Sequence, residues 1–151
     1  MISITARLID LPEEQQLVED LGLSKMGRVQ KVIDQSVIDF CQPYVPASPD
    51  RTLEFSAQLA TQVGSGQVIW DTPYAHYQYM GIVYGPNIPI IQDGILMGWF
   101  SPPGRPKSPT DRELTYDTSQ NPMAGSRWFE RMKADRLNDI LDAAKAAVKG
   151  R

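Results

Sequence analysis

Apolar positions recur at helical spacing over residues 24 to 42, where Met26, Val29, Ile33, Val37 and Phe40 form one stripe; Ser24 offers an N-cap and Pro43 ends the run. A second stripe, Phe129, Met132, Leu137, Ile140, Leu141, Ala144 and Val148, predicts a C-terminal helix over about 127 to 148, capped by Ser126. Between them the period changes to two. Leu53, Phe55, Ala57, Leu59 and Val63 all fall at odd numbers, which predicts a strand over 52 to 63 with one wet face. Gly64-Ser65-Gly66 then reads as a turn, and Gln67-Val68-Ile69-Trp70 as the returning strand of a hairpin, about 67 to 71. Near the N-terminus, residues 2 to 9 alternate loosely and predict a short strand. Pro12 leads a short helix carrying Leu17, Val18 and Leu21, with Gly22 as its terminator.

The stretch DTPYAHYQYMG, residues 71 to 81, places three of the six tyrosines beside the only histidine. Asp71 or Thr72 can cap and Pro73 suits a first helical position, so a turn of helix puts Tyr74, Tyr77 and Met80 on one face, turns His76 away from it and stops at Gly81. Ile82-Val83-Tyr84 resumes a strand. From residue 85 to 125 the composition shifts: seven of the twelve prolines lie here. Within this stretch Ile88 to Ile91 and Ile95 to Phe100 flank Asp93-Gly94, a dipeptide suited to a tight hairpin turn, and SPPGRPKSPTDR reads as an extended basic loop. The expected architecture is a single α/β domain of the α+β kind. An antiparallel sheet packs against the two long helices, the core spans about 21 to 84 and 113 to 148, and an arm covers about 85 to 112.

Composition narrows the chemistry. A chain of 151 residues with 42% hydrophobic content builds one ordinary core. A formal charge of -3 and a pI near 5.1 argue against a general nucleic-acid binder, which needs a cationic face to displace counterions. Cys41 is the only cysteine, so no intrachain disulfide and no thiol-rich metal site is expected, and the compartment reads as reducing. One His and one Cys are too few for a zinc site, no EF-hand spacing occurs, and Gly64-Ser65-Gly66 lacks a phosphate-loop lysine; no metal and no cofactor is expected. Neither a signal-peptide h-region nor ~18 consecutive apolar residues occurs, so a soluble, unprocessed chain without a membrane role is expected.

Two readings of the aromatic stretch compete. His76 with Asp71 or Glu54 could supply a general base, and with Trp70 and the tyrosines this gives a small hydrolase or a carbohydrate-binding module. Against base stacking, residues 67 to 84 contain no Lys or Arg. Aromatics at helical spacing are the ordinary material of cores and interfaces, which makes Tyr74, Tyr77 and Tyr79 candidates for subunit contact rather than catalysis. In the arm, Trp99 and Phe100 are candidate anchors, and Arg105 and Lys107 candidate rim charges for an acidic partner.

The order of these segments resembles the minor capsid or neck proteins of tailed bacteriophages, the head-to-tail connector and tail-completion proteins. The resemblance is carried by Gly27-Arg28-Val29-Gln30-Lys31, Pro43-Tyr44-Val45-Pro46, Thr72-Pro73-Tyr74-Ala75 with Tyr77-Gln78-Tyr79 and Gly81, Leu114-Thr115-Tyr116, and Ala124-Gly125 through Trp128-Phe129-Glu130-Arg131-Met132. The resemblance extends over residues 21 to 148. One departure is that Ala47-Ser48-Pro49-Asp50-Arg51-Thr52 follows the PYVP segment, where relatives resemble a threonine-glycine pair. The resemblance implies a non-enzymatic virion protein, assembled in the host bacterial cytoplasm. It implies a homo-oligomeric ring, expected as a hexamer, that contacts head-completion or connector proteins on one side and tail-terminator or tail-tube proteins on the other. DNA would pass through without specific binding.

Overall fold

The computed structural model describes residues 1–5 and 20–150. In chain order its elements are β1 (Ile2–Thr5), α1 (Arg28–Cys41), a 3-10 turn (Gln42–Tyr44), α2 (Thr52–Ala60), β2 (Gln67–Trp70), α3 (Ala75–Met80), β3 (Ile82–Gly85), β4 (Ile88–Gln92), β5 (Ile95–Phe100), β6 (Ser108–Glu113) and α4 (Trp128–Lys149). The helix expected to start at Pro12 lies outside the described residues apart from its end near Gly22.

The two long helices pack against each other and carry much of the core. Val29, Ile33, Val37 and Cys41 of α1 recur every four residues and are buried, as are Trp128, Met132 and Ile140 of α4. Helix α1 begins at Arg28 rather than Ser24, with Gly27 extended at its N-cap. A Cβ on Gly27 would sit 2.4 Å from the Gly22 carbonyl oxygen, so only glycine fits that close approach. The Arg28 Nε then donates to the Ala147 carbonyl at 2.9 Å, satisfying one of the last carbonyls of α4. Helix α4 likewise starts one residue later than the Ser126 cap implied, with Arg127 at its N-cap. Arg127 enters it in the left-handed region, and the Ser126 carbonyl accepts from Arg131 Nε at 2.9 Å. Its apolar stripe is narrower than expected, because Leu137 and Leu141 are exposed.

Residues 52 to 63 correct the sequence reading: Thr52–Ala60 is helix α2 and residues 61 to 63 are loop, so no strand forms there. Leu53, Glu54, Ser56 and Ala57 turn inward, whereas Phe55 is 40% and Leu59 87% exposed. The odd-numbered pattern misled because 53 and 57 share one helical face while 55 and 59 share the opposite one. Asp50 brackets the helix start, accepting from Ser48 Oγ and, at 3.2 Å, from the Thr52 amide. Those bonds hold its carboxyl down at about 2, the Ser48 contact foremost. Inside, the Glu54 carboxylate accepts from Asn121 Nδ2, which also donates to the Val45 carbonyl at 2.8 Å and ties the 121–127 loop to the domain.

The strand partner of β2 is therefore β1, antiparallel, with Ile2 opposite Trp70 and Thr5 opposite Gln67. A buried carboxylate holds the turn before β2. Asp34 accepts from the Gly64 amide at 2.7 Å, the Gly66 amide at 3.1 Å and Gln30 Nε2 at 2.8 Å. The tail of the proline-rich loop is also not a free loop. Ser108–Glu113 is β6, antiparallel to β3, with Ile82 opposite Glu113 and Gly85 opposite Ser108. The expected hairpin around Asp93-Gly94 forms, as β4 paired with β5. The fold is α+β, as expected, but among the described residues its strands lie in three separate two-stranded antiparallel sheets rather than one.

Asp34→Ala removes three hydrogen bonds and strands two buried amides, so urea denaturation is expected to show a loss of about 3 kcal/mol or more. Leu59→Ser, on the outward face of α2, is expected to change stability by less than about 0.5 kcal/mol. A strand with Leu59 facing the core would reverse that second outcome.

Candidate functional site

Helix α3 places the tyrosines differently from the sequence reading. Its buried face is Ala75 and Tyr79, four residues apart, rather than Tyr74, Tyr77 and Met80. Gly81 does end it, in the left-handed region. A Cβ there would meet Ser126 Cβ at 2.7 Å, so the helix end abuts the approach to α4.

Tyr79 is a core residue. Its ring stands edge-on to Trp128 with centroids 4.6 Å apart, and its hydroxyl donates to the Glu130 carboxylate. Burial first, then the bond to Glu130, pushes its phenol well above the ordinary range. Tyr77 is half-buried in an exposed-side cluster, 4.7 Å from the Tyr84 ring and 5.7 Å from His76. His76 is exposed and stands 6.1 Å from Tyr84, so aromatic rings flank it on two sides. Tyr74 is exposed on the rim of a shallow cavity of about 200 Å³ shared with Pro46, Ser48, Gln78 and Tyr116. Trp70 is buried, edge-on to Trp128 at 5.7 Å, which removes it from any surface a carbohydrate could reach. Among the described residues no group of three or more His, Cys, Asp or Glu side chains is placed to hold a metal ion, and no helix is long and apolar enough to cross a membrane.

Among the described residues, half of the exposed large hydrophobic side chains lie on the β4–β5 ribbon. Ile88, Ile90, Ile91, Ile95, Leu96, Met97, Trp99 and Phe100 are each between 47% and 64% exposed. Paired residues share a face, so Ile88 and Phe100, Ile90 and Gly98, and Gln92 and Ile95 lie on one side; Pro89 and Trp99, and Ile91 and Leu96, lie on the other. A bulge separates the Ile90 and Ile91 pairs. Both faces are thus apolar and both are open.

Trp99 and Phe100 are both exposed on this ribbon, and Arg105 is exposed in the loop beyond them. Lys107 does not reach outward as a rim charge. Its Nζ donates to Asn87 Oδ1 and, at 3.4 Å, to the Pro86 carbonyl, while Asn87 Nδ2 donates to the Tyr84 carbonyl at 3.0 Å. These residues form a clasp at the foot of the ribbon. Asn87 was not singled out from sequence; the Gly85-Pro86-Asn87 turn signal was the available hint. The structure therefore separates the candidates: Trp99 and Phe100 lie on opposite faces of the ribbon, Tyr74 and Tyr77 on the body, Tyr79 in the core and Lys107 at the foot of the arm.

No protein-family model, no curated protein and no solved structure matches this chain.

The raised phenol of Tyr79 fixes a direction for alkaline stability. Burial holds the Tyr44 and Tyr116 phenols above their ordinary value of 10 as well, aided in Tyr44 by its bond to Asp135. The folded chain keeps these protons where the unfolded chain releases them, so their contribution is complete below pH 10 and is lost as pH rises beyond it. The melting temperature is expected to fall between pH 9 and pH 11, and Tyr79→Phe is expected to flatten that fall. Thermal melts followed by circular dichroism at both pH values check this.

Proposed function

We propose that this chain is a structural subunit of a bacteriophage neck, part of the homo-oligomeric ring that joins head to tail, and not an enzyme. The observation that carries this reading is the β4–β5 ribbon: eight large apolar side chains held out on a two-stranded element that has no core of its own. Such a ribbon is marginal alone in water and gains most from a protein surface laid against it. A chain whose most conspicuous surface is a contact element, and whose resemblance is to connector and tail-completion proteins, is best read as an assembly part. Its neighbours would be head-completion or connector proteins and tail-terminator or tail-tube proteins. A net charge of -3 suits a ring through which DNA slides without being gripped.

The test is in vitro joining. Heads and tails from a phage lacking this subunit should combine into infectious particles when the purified chain is added. Replacing residues 88–106 with a short Gly-Ser linker should abolish joining while leaving cooperative unfolding intact, because β3, β6 and the Lys107–Asn87 clasp lie outside the replaced span. His76→Ala should join heads to tails as well as the native chain. A well-folded His76→Ala variant that fails would favour the hydrolase reading, and a shortened arm that still joins would sink the contact role of the ribbon.

A further inference from the structure

We infer that the partner of the β4–β5 ribbon is the same ribbon on the next copy of this chain, one face of each packing on the opposite face of its neighbour, with Trp99 seated in the notch at Gly98. This rests on the reading of the ribbon as an assembly surface and names its occupant.

Four observations converge on a second copy. The first is that the ribbon is apolar on both sides. A single flat partner would cover one side and leave the other wet, whereas an element buried on both faces reads as the continuous apolar run seen here. A repeat in which each ribbon lies between two others covers both. The second is shape. On the side bearing Ile88, Ile90, Ile95 and Phe100, Gly98 contributes no side chain, and a Cβ placed there would meet nothing within 4 Å. That leaves a hollow beside Ile90. The opposite side carries Trp99, the largest knob on the ribbon, so the two faces complement each other rather than themselves.

The third is area. Eight side chains at about half exposure, roughly 100 Å² each, offer on the order of 800 Å² divided between two faces, so each contact takes about 400 Å² from each partner, a weak interface that repetition along a row of copies reinforces. The fourth is charge. Asp93 is the only charged residue between Asn87 and Gly104, so the ribbon gives a charged partner or a nucleic acid little to recognise. A lipid surface is disfavoured by the backbone. Each ribbon strand has only one strand neighbour, and its outer edge would carry unpaired amides and carbonyls into a medium unable to satisfy them. Packed face to face in water, those edges stay hydrated. Unlike faces meeting is a head-to-tail contact, which closes into a ring when the rotation between copies allows it.

The geometry yields a complementation test. Ile90→Lys blocks the notch face and Trp99→Lys removes the knob; both positions are exposed, so each variant should melt as the native chain does. Sedimentation equilibrium of the native chain, up to about 1 mM where even weak contacts populate, should show concentration-dependent masses well above 16.9 kDa. Either variant alone should remain a monomer. An equimolar mixture should form a dimer and go no further, because one partner keeps an intact knob face and the other an intact notch face. Phe100→Lys and Leu96→Lys block the same two faces and replace either variant if it does not fold. A native chain that stays monomeric, including one that instead cosediments with phosphatidylcholine vesicles, overturns the inference. So do single variants that dimerise, which would mean like faces meet, and a mixture that stays monomeric. These readings are independent of head-to-tail joining: a native chain that oligomerises as described but fails to join heads to tails upholds the ribbon contact and removes the neck role.

Discussion

The packing of one indole sets the arrangement of the domain. Trp128 is the first residue of α4 and is fully buried, edge-on to Trp70 of β2 and to Tyr79 of α3. Because it lies at the start of a 22-residue helix, fixing its ring fixes the direction in which the rest of α4 leaves and meets α1. Removing an indole from water stabilises the fold by on the order of 5 kcal/mol. That exceeds the penalty of about 1 to 3 kcal/mol for its Nε1, a buried donor with no hydrogen-bond partner among the described residues. The approach to Trp128 is held just as closely: the Arg127 amide donates to the Tyr79 carbonyl at 2.9 Å and the Gly125 amide to the Tyr44 carbonyl at 3.2 Å.

Around that hydrophobic joint, the polar groups inside the domain do positional work. Asp34 and Glu54 are both buried carboxylates, and each is answered by donors from a distant segment: the Gly64 and Gly66 amides for Asp34, Asn121 for Glu54. Buried charges without such donors would oppose folding strongly. Each carboxylate selects one placement of a loop that carries little apolar surface of its own. Arg28 acts similarly from the other end of α1 by bonding the carbonyls of Ala147 and Val148.

The legibility of the fold in the sequence followed the range of the forces involved. Helices α1 and α4 were readable because their stripes are long, and the β4–β5 hairpin because Asp93-Gly94 supplies the positive φ angles of 51° and 78° that its turn uses. Helix α2 was misread because nine residues are too few to distinguish period two from a helix whose exposed face also carries Phe55 and Leu59. Its true signal was local and polar, the Ser48, Asp50 and Thr52 bracket. The pairing of β1 with β2 joins residues more than sixty positions apart, and no local pattern encodes it. Of the candidate site, Trp99 and Phe100 were visible as an apolar run with almost no charge. Lys107 was not placed correctly, because its partner Asn87 lies twenty residues away across the whole ribbon.

That misplaced lysine bears on how a surface ribbon could serve assembly. A ribbon on a slack tether would lose much of its orientational freedom on binding, and that loss subtracts from a contact of modest area. Here the foot of the ribbon is fastened three ways: β3 pairs with β6, Lys107 bonds Asn87 and Pro86, and the Thr110 hydroxyl donates to the Val83 carbonyl at 2.6 Å. The body in turn holds β3 through the Leu114 amide on the Gly81 carbonyl and the Tyr116 hydroxyl on the Gln78 carbonyl, at 2.9 and 2.6 Å. The chain of contacts runs from the Trp128 joint through α3 and β3 to the base of the ribbon, so the orientation of the arm is set by the core. Both faces of the ribbon stay bare while its foot is fixed, which is the arrangement a repeated contact of limited area requires.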